Sequence, residues 1–153
     1  MLPPQPDAPS APIARILMVD DHPIVREGMA QFINLQPGLQ LCCGASNSQE
    51  ALDAMAHCSH QLAIVDISLG QESGLDLIKT LRRKFEHLAI LAMSMHDEHL
   101  YAERALEAGA HGYLMKQEAT QRILQAVHRV LAGDIYLSPT LAASRLAAPA
   151  TRP

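Results

Sequence analysis

Residues 16–23 read ILMVDDHP, an apolar run that ends abruptly in two adjacent carboxylates. A short continuous apolar run predicts a strand that is buried on both faces of a parallel sheet. The like charges of Asp20 and Asp21 repel each other. The pair therefore either lies solvated in a loop or has a positive group beside it, and no arginine is expected near it. The ends of the other apolar runs distinguish these interpretations.

Four further apolar runs alternate with amphipathic segments along the chain. The runs cover residues 39–43, 62–65, 88–93 and 113–115. Helical patterns cover residues 23–36, 48–58, a segment that begins at Ser73, 98–108 and 120–132, with Ser48 and Ser73 as predicted caps. Five strands that alternate with five helices predict right-handed crossovers and a three-layer α/β sandwich around a parallel five-stranded sheet.

The composition is that of one globular domain. The chain has 153 residues, of which 48% are hydrophobic and 18% charged, and the aromatic share of 3% predicts an aliphatic core. The net charge is −4 and the basic residues are scattered. This distribution does not favour a nucleic-acid-binding surface.

The cysteines and the termini bear on cellular location. Cys42, Cys43 and Cys58 are interpreted as reduced thiols of a cytoplasmic protein, and the adjacent pair as packing within a strand. No apolar run approaches the ~20 residues of a membrane span, so no membrane partner is expected. Residues 1–12 predict a proline-rich disordered arm rather than a signal peptide.

Polar side chains follow four of the predicted strands. Asp20 and Asp21 follow the first strand, Asp66 the third, Ser94 the fourth and Lys116 the fifth. Ligands of open parallel sheets bind outside the carboxyl ends of the strands, so we expect these groups to meet at one edge.

The chemistry of this set points to phosphoryl transfer. Three close carboxylates require a cation, and oxygen ligands suit a hard ion such as Mg²⁺. One carboxylate is then available as a nucleophile that forms an aspartyl-phosphate. Lys116 and the metal would neutralise the transferred group, and Ser94 would donate a hydrogen bond to it.

The segments VDDHPIVREGM, VDISLGQESGLDLI, AMSMHD and GAHGYLMK carry a family resemblance. Residues 13–139 resemble the receiver domain of bacterial two-component response regulators, and DDHPIVREG and AVHRVLAGDIYLSP resemble the LuxR/NarL-type subfamily. The resemblance implies a flavodoxin-like (βα)5 fold with strand order 2-1-3-4-5. It also implies a signalling switch rather than an enzyme, with intrinsic phosphotransfer and autodephosphorylation chemistry.

The resemblance implies a role for each residue of the acidic site. Asp66 would be the phosphoacceptor and also a Mg²⁺ ligand. Asp21 would bind Mg²⁺ directly, Asp20 through water, and Ser68 through its backbone carbonyl.

It implies a switch as well. Ser94 and Tyr113 would form the switch pair, and Lys116 would sense the phosphoryl group. The fourth helix, fifth strand and fifth helix would then change their surface, which is where a homodimer could form on phosphorylation.

The implied partner is a sensor histidine kinase, and the implied output is transcription. We expect residues 13–138 to form the receiver and residues 139–153 a linker or tail, with the DNA-binding helix-turn-helix domain absent from this chain. The chain would be either a fragment of a longer regulator or a stand-alone receiver that acts in a phosphorelay or through protein–protein regulation. A haloacid-dehalogenase-like phosphatase is the remote alternative, disfavoured because His22 stands where that family has a second aspartate.

Overall fold

A computed structural model describes residues 13–95, 98–139 and 141–143, so the predicted arm at residues 1–12 lies outside the described residues. The strands of the five-stranded sheet are β1 (Ala14–Val19), β2 (Leu39–Ala45), β3 (Leu62–Asp66), β4 (Ala89–Ser94) and β5 (Gly112–Met115). The helices are α1 (Pro23–Asn34), α2 (Ser48–His57), α3 (Gly74–Lys84), α4 (Glu98–Ala108) and α5 (Ala119–Leu131). The five strands are parallel in the order β2-β1-β3-β4-β5, which confirms the predicted fold.

The helix starts follow from local capping. Pro23 lies in the first turn of α1, and the Ser73 hydroxyl accepts a hydrogen bond from the Asp76 amide at the start of α3, as predicted. The prediction that Ser48 caps α2 is wrong by one residue. Asn47 has the extended cap conformation, and its side chain accepts the hydrogen bond from the Glu50 amide.

The core lies in two layers, one on each face of the sheet. Ile16 and Met18 of β1 pack in the layer under α1 and α5, whereas Leu17 and Val19 pack in the layer under α2, α3 and α4. All four side chains are essentially inaccessible to solvent. The run at residues 16–19 is apolar throughout because β1 is covered on both faces.

The chain after α5 packs back onto the sheet. Tyr136 forms a parallel bridge with Gly112, and the Tyr113 amide donates to the Tyr136 carbonyl. Leu141 is buried in the layer that contains α4. The predicted linker at residues 139–153 therefore includes one residue, Leu141, that belongs to the core. Within the described part of the chain, no helix has the length and apolar character to cross a membrane.

Candidate phosphoacceptor and metal site

Four predicted side chains meet at the carboxyl edge of the sheet. Asp20 directly follows β1, Asp66 ends β3, Ser94 ends β4 and Lys116 directly follows β5. Asp20 and Ser94 are fully buried, and Asp66 is 3% exposed. Parallel strands end at one edge, so residues distant in sequence become neighbours there.

Lys116 joins two of the three carboxylates. Its Nζ lies 2.8 Å from Asp66 Oδ2, to which it donates a hydrogen bond, and 2.8 Å from Asp20 Oδ2. Burial lowers the pKa of Lys116, but the hydrogen bonds and charges of Asp20 and Asp66 outweigh burial and raise the pKa above its usual value. The ammonium group therefore remains charged at neutral pH.

The backbone around Asp66 fixes the position of its carboxylate. Asp66 Oδ1 accepts a hydrogen bond from the Ser68 amide at 3.0 Å. Burial raises the pKa of Asp66, and Lys116 and the Ser68 amide oppose this without cancelling it. A Cβ atom at Gly74 would lie 2.0 Å from the Asp66 carbonyl oxygen, so a glycine is required where α3 begins beside the acceptor.

The acidic pair has partners that the sequence analysis missed. Asp20 Oδ1 accepts a hydrogen bond from the His22 amide at 2.8 Å, and His22 Nδ1 lies 2.8 Å from Asp20 Oδ1 and 3.2 Å from Asp21 Oδ1. Arg26 Nη1 donates to the Asp20 carbonyl oxygen. The expectation that no arginine lies near the pair is wrong. His22 is the cap residue of α1, and Arg26 lies one turn later. The helix start predicted at Pro23 already indicated that these two residues lie near the end of β1.

The carboxylates form a group that fits a hard cation. One ligand atom from each of Asp20, Asp21, His22 and Asp66 lies within 4.8 Å of the others. Asp21 Oδ1 is shielded from solvent and accepts no hydrogen bond from the described residues. Asp20 Oδ2 is also shielded, and Lys116 Nζ lies 2.8 Å from it. A shielded anionic oxygen without a donor, such as Asp21 Oδ1, favours a bound cation, and an oxygen-rich set suits Mg²⁺.

Ser94 and Tyr113 lie on adjacent strands. Asp66 pairs with Met93 across β3 and β4, which puts Ser94 one residue beyond the acceptor. Tyr113 pairs with Ala92 and is fully buried in the layer under α4. The two predicted switch residues therefore lie on adjacent strands, and Tyr113 shares a core layer with the alanines of α4.

The comparisons with known proteins agree with this geometry. The family model described as the response regulator receiver domain matches residues 16–128. The chain belongs to this family. The receiver is similar to the transcriptional regulatory protein UhpA of Salmonella typhimurium, with 38% identity over 127 residues that cover 83% of the chain and 63% of the relative.

Two other comparisons place the receiver in the LuxR/NarL group. The nitrate/nitrite response regulator protein NarL of Escherichia coli is 33% identical over 144 residues, which cover 90% of the chain and 66% of that relative. A two-component response regulator of the LuxR family from an Aurantimonas species superposes with a TM-score of 0.80 at 33% identity, over 88% of this chain and 99% of that one. The chain is a receiver domain of LuxR/NarL-type response regulators, and the phosphatase alternative is not favoured. The chain spans 63% of the length of UhpA.

Proposed function

We propose that this receiver accepts a phosphoryl group on Asp66 with the help of Mg²⁺ and thereby changes the surface formed by α4, β5 and α5. The observation that carries the proposal is the buried Asp66 carboxylate, which lies 2.8 Å from Lys116 Nζ at an edge with two further carboxylates. A switch of this kind would couple a sensor histidine kinase to an output domain.

The transfer step uses the carboxylate as nucleophile. An Asp66 oxygen forms a bond to the phosphorus of the donor. At the same time the P–N bond of a phosphohistidine, or the P–O bond of a small donor, breaks, and its electron pair stays on the departing nitrogen or oxygen. The Lys116 ammonium group then pairs with a phosphoryl oxygen instead of the carboxylate, and the Ser94 hydroxyl donates a hydrogen bond to another phosphoryl oxygen. Asp66 is only 3% exposed, which limits the access of bulk water to the acceptor before transfer.

The metal ligands that we propose are those that the family resemblance implies. Bound Mg²⁺ supplies positive charge to the phosphoryl oxygens during transfer. Asp21 and Asp66 would hold the ion directly, Asp20 through water, and Ser68 through its backbone carbonyl. Asp21 is the most exposed of the three carboxylates, which suits a ligand that meets an ion arriving from solvent.

Phosphorylation by a small donor tests the acceptor. With Mg²⁺ and acetyl phosphate, the intact mass should rise by one phosphoryl group. Asp66→Asn should lose this adduct because an amide oxygen is a poor nucleophile. Asp53→Asn, which changes an exposed carboxylate on α2, is the matched control and should retain it. An undiminished adduct in Asp66→Asn would contradict the assignment.

Titration with Mg²⁺ tests the ligands. Asp21→Asn should lose most of the Mg²⁺ affinity and Asp20→Asn less, because only the first is proposed as a direct ligand. Equal affinity in the wild-type chain and in both variants would overturn the metal assignment.

The switch is tested by a stable phosphoryl mimic. Beryllofluoride bound at Asp66 should draw Ser94 inward, allow Tyr113 to shift, and move the amide resonances of residues 94–125. The effect is a shift between populations that exist beforehand. Unchanged resonances in this segment would place the switch elsewhere.

An apolar groove beside the acceptor suits a phosphohistidine-bearing helix of the kinase. The groove has a volume of about 670 Å³, and its lining includes Lys116 together with Ile24 and Leu35 of the α1 region. Ile24 and Leu35 are more than three-quarters exposed. Ile24→Ser should slow phosphotransfer from a phosphorylated sensor kinase but not from acetyl phosphate. An equal effect on both donors would rule out docking here.

We propose transcriptional output only for the whole protein, not for this receiver alone. The relatives are named as transcriptional regulatory and response regulator proteins, whereas this chain carries a net charge of −4. Specific DNA binding needs a groove-filling element and several phosphate contacts. We expect this chain alone to show no sequence-specific DNA binding in an anisotropy titration, phosphorylated or not.

A further inference from the structure

Two adjacent cysteines and a buried histidine form a second cluster of metal-binding side chains. Cys42 Sγ and Cys43 Sγ lie 3.6 Å apart, and His60 Nε2 lies 3.3 Å from Cys43 Sγ. The three ligand atoms all lie within 4.8 Å of one another. The phosphoacceptor chemistry uses none of these residues, so the cluster is independent of the function proposed above.

A bulge in β2 brings the two sulfur atoms together. Ile16 pairs with Leu41 and the next residue, Leu17, pairs with Cys43, so that Cys42 is an extra residue in β2. Adjacent side chains of a regular strand point to opposite faces, whereas a bulge re-aims them. The interpretation of the pair as packing within a regular strand is therefore incomplete, because the bulge makes the two thiols neighbours.

His60 is aimed into the cluster from the turn before β3. Its side chain is more than nine-tenths buried, and its Nδ1 has no hydrogen-bond partner of good geometry within the described residues. Burial and then the charge of Arg15 lower the pKa of His60, whereas the Cys58 backbone opposes the shift. The ring is therefore neutral at pH 7, which is the form that binds metals.

The spacing of the ligand atoms fits a tetrahedral metal. Bonds of about 2.3 Å to sulfur and about 2.0 Å to nitrogen put two sulfurs roughly 3.8 Å apart, and sulfur and nitrogen roughly 3.6 Å apart. The observed separations of 3.6 and 3.3 Å are within a few tenths of an ångström of these values. Burial, with smaller contributions from Cys42, raises the pKa of Cys43 to about 11. The Cys43 thiol is therefore protonated until a metal displaces its proton.

We propose that Cys42, Cys43 and His60 bind one thiophilic d10 ion, Zn²⁺ or Cu⁺. Binding replaces the two thiol protons, which are released to solvent, and leaves one coordination position for a further ligand. Soft sulfur ligands do not select Mg²⁺, so the two sites would hold different ions in the same chain. The bound ion would tie β2 to the residues that precede β3.

Metal titration of the reduced chain in saturating Mg²⁺ tests this site. Zn²⁺ in competition with a chromophoric chelator should bind at one equivalent, and Co²⁺ should show a thiolate-to-metal absorption band that Zn²⁺ removes. Cys43→Ser and His60→Gln should weaken binding by about 100-fold or more. Cys58→Ser, which removes a thiol outside the three-ligand group, is the matched control and should bind as the wild type does. Cu⁺ in a separate titration against a Cu⁺-specific chelator distinguishes the two ions.

Thermal unfolding shows whether each variant folds, so that a loss of metal binding is distinguished from a folding defect. Zn²⁺ should raise the Tm of the wild-type chain but not that of Cys43→Ser, and Cys42→Ser replaces the latter variant if it does not fold. Equal metal affinity in the wild-type chain and the folded cysteine variant would overturn the site, as would the absence of both the Co²⁺–thiolate band and Cu⁺ binding. A wild-type chain that binds neither ion but joins Cys42 to Cys43 in air would instead identify a redox pair, and the metal proposal would be wrong.

Discussion

Helices α4 and α5 both pack against β5 but bury different side chains. The side chains that α5 buries include Ile123, Val127 and Val130. Among the described side chains of α4, the buried ones are Ala102, Ala105 and Ala108. Each further buried methylene contributes about 0.8 kcal/mol, so the alanine face holds α4 more weakly than the branched face holds α5. The difference separates an anchored helix from one that can shift.

The alanine face of α4 also explains where Tyr113 fits. Tyr113 is among the largest fully buried side chains, and it lies in the same core layer as the α4 alanines. Small residues on α4 leave room for the ring. A displacement of Tyr113 therefore changes the packing of α4 first and that of α5 only through β5.

The largest predicted effect is on the anchored helix. Ile123→Ala should lower the free energy of unfolding by about 3 kcal/mol, because it removes a fully buried branched side chain and leaves a cavity. Denaturant unfolding measures this, with Gln125→Ala on the exposed face of α5 as the control. A loss below ~1 kcal/mol would contradict the view of α5 as the anchored helix.

The ends of the two helices give a matched pair of glycine substitutions. Gly109 after α4 has φ +120°, and its Cβ would lie 2.9 Å from the Arg82 Cβ, whereas Gly133 after α5 has φ +95° and open space around it. Gly109→Ala should destabilise by about 2–3 kcal/mol and Gly133→Ala by about 1 kcal/mol. Equal losses of stability would show that the approach of an added Cβ at position 109 to Arg82 does not destabilise the end of α4.

A smaller effect should appear in α4 itself. Ala105→Gly should cost about 2 kcal/mol, since the lower helix propensity and the loss of one buried methyl group each contribute about 1 kcal/mol. Amide hydrogen exchange should speed up across α4 while α5 remains protected. Equal acceleration in both helices would mean that they open as one unit and would remove the contrast between them.

The smallest effect concerns pH at the junction between α4 and β5. His111 Nδ1 accepts a hydrogen bond from the Ile90 amide at 3.1 Å. Burial, and then the charge of Arg82, lower the pKa of His111 below its ordinary value of 6.5. The unfolded chain then binds more protons than the folded chain, so stability should be full above about pH 6.5 and should fall as the pH drops below it.

Thermal melts between about pH 7.5 and about pH 5 measure how the stability of the fold depends on pH. His111→Asn keeps an acceptor near the Ile90 amide and should flatten part of the pH dependence. His60, whose pKa is also lowered by burial, accounts for a further part. A curve that is the same in the wild type and in His111→Asn would exclude this histidine as the acid-sensitive group.

The sequence predicted the fold and the centre of the site for one reason. Short apolar runs fix the strands, and parallel strands bring their terminal residues together, so that Asp20, Asp66 and Lys116 could be placed side by side. The contacts of His22 and Arg26 depend on the direction in which the chain passes from β1 into α1. The hydrophobic pattern does not predict this direction.

The thiol cluster was hidden for a different reason. A bulge is a property of the register between β1 and β2, and the run LCCGA reads equally well as a regular strand. The adjacency of Cys42 and Cys43 was visible in the sequence, but the approach of His60 from a separate segment was not. Register and long-range approach are set by tertiary packing rather than by local residue patterns.

The same bulge has a consequence for solubility. Exposed strand edges are templates for intermolecular pairing, and natural sheets protect them with bulges or covering segments. The β2 edge is interrupted at Cys42, and the β5 edge is covered where Tyr136 bridges Gly112. Neither edge of this sheet offers a long regular ladder to another chain. Strand-to-strand aggregation between copies of the domain is therefore disfavoured.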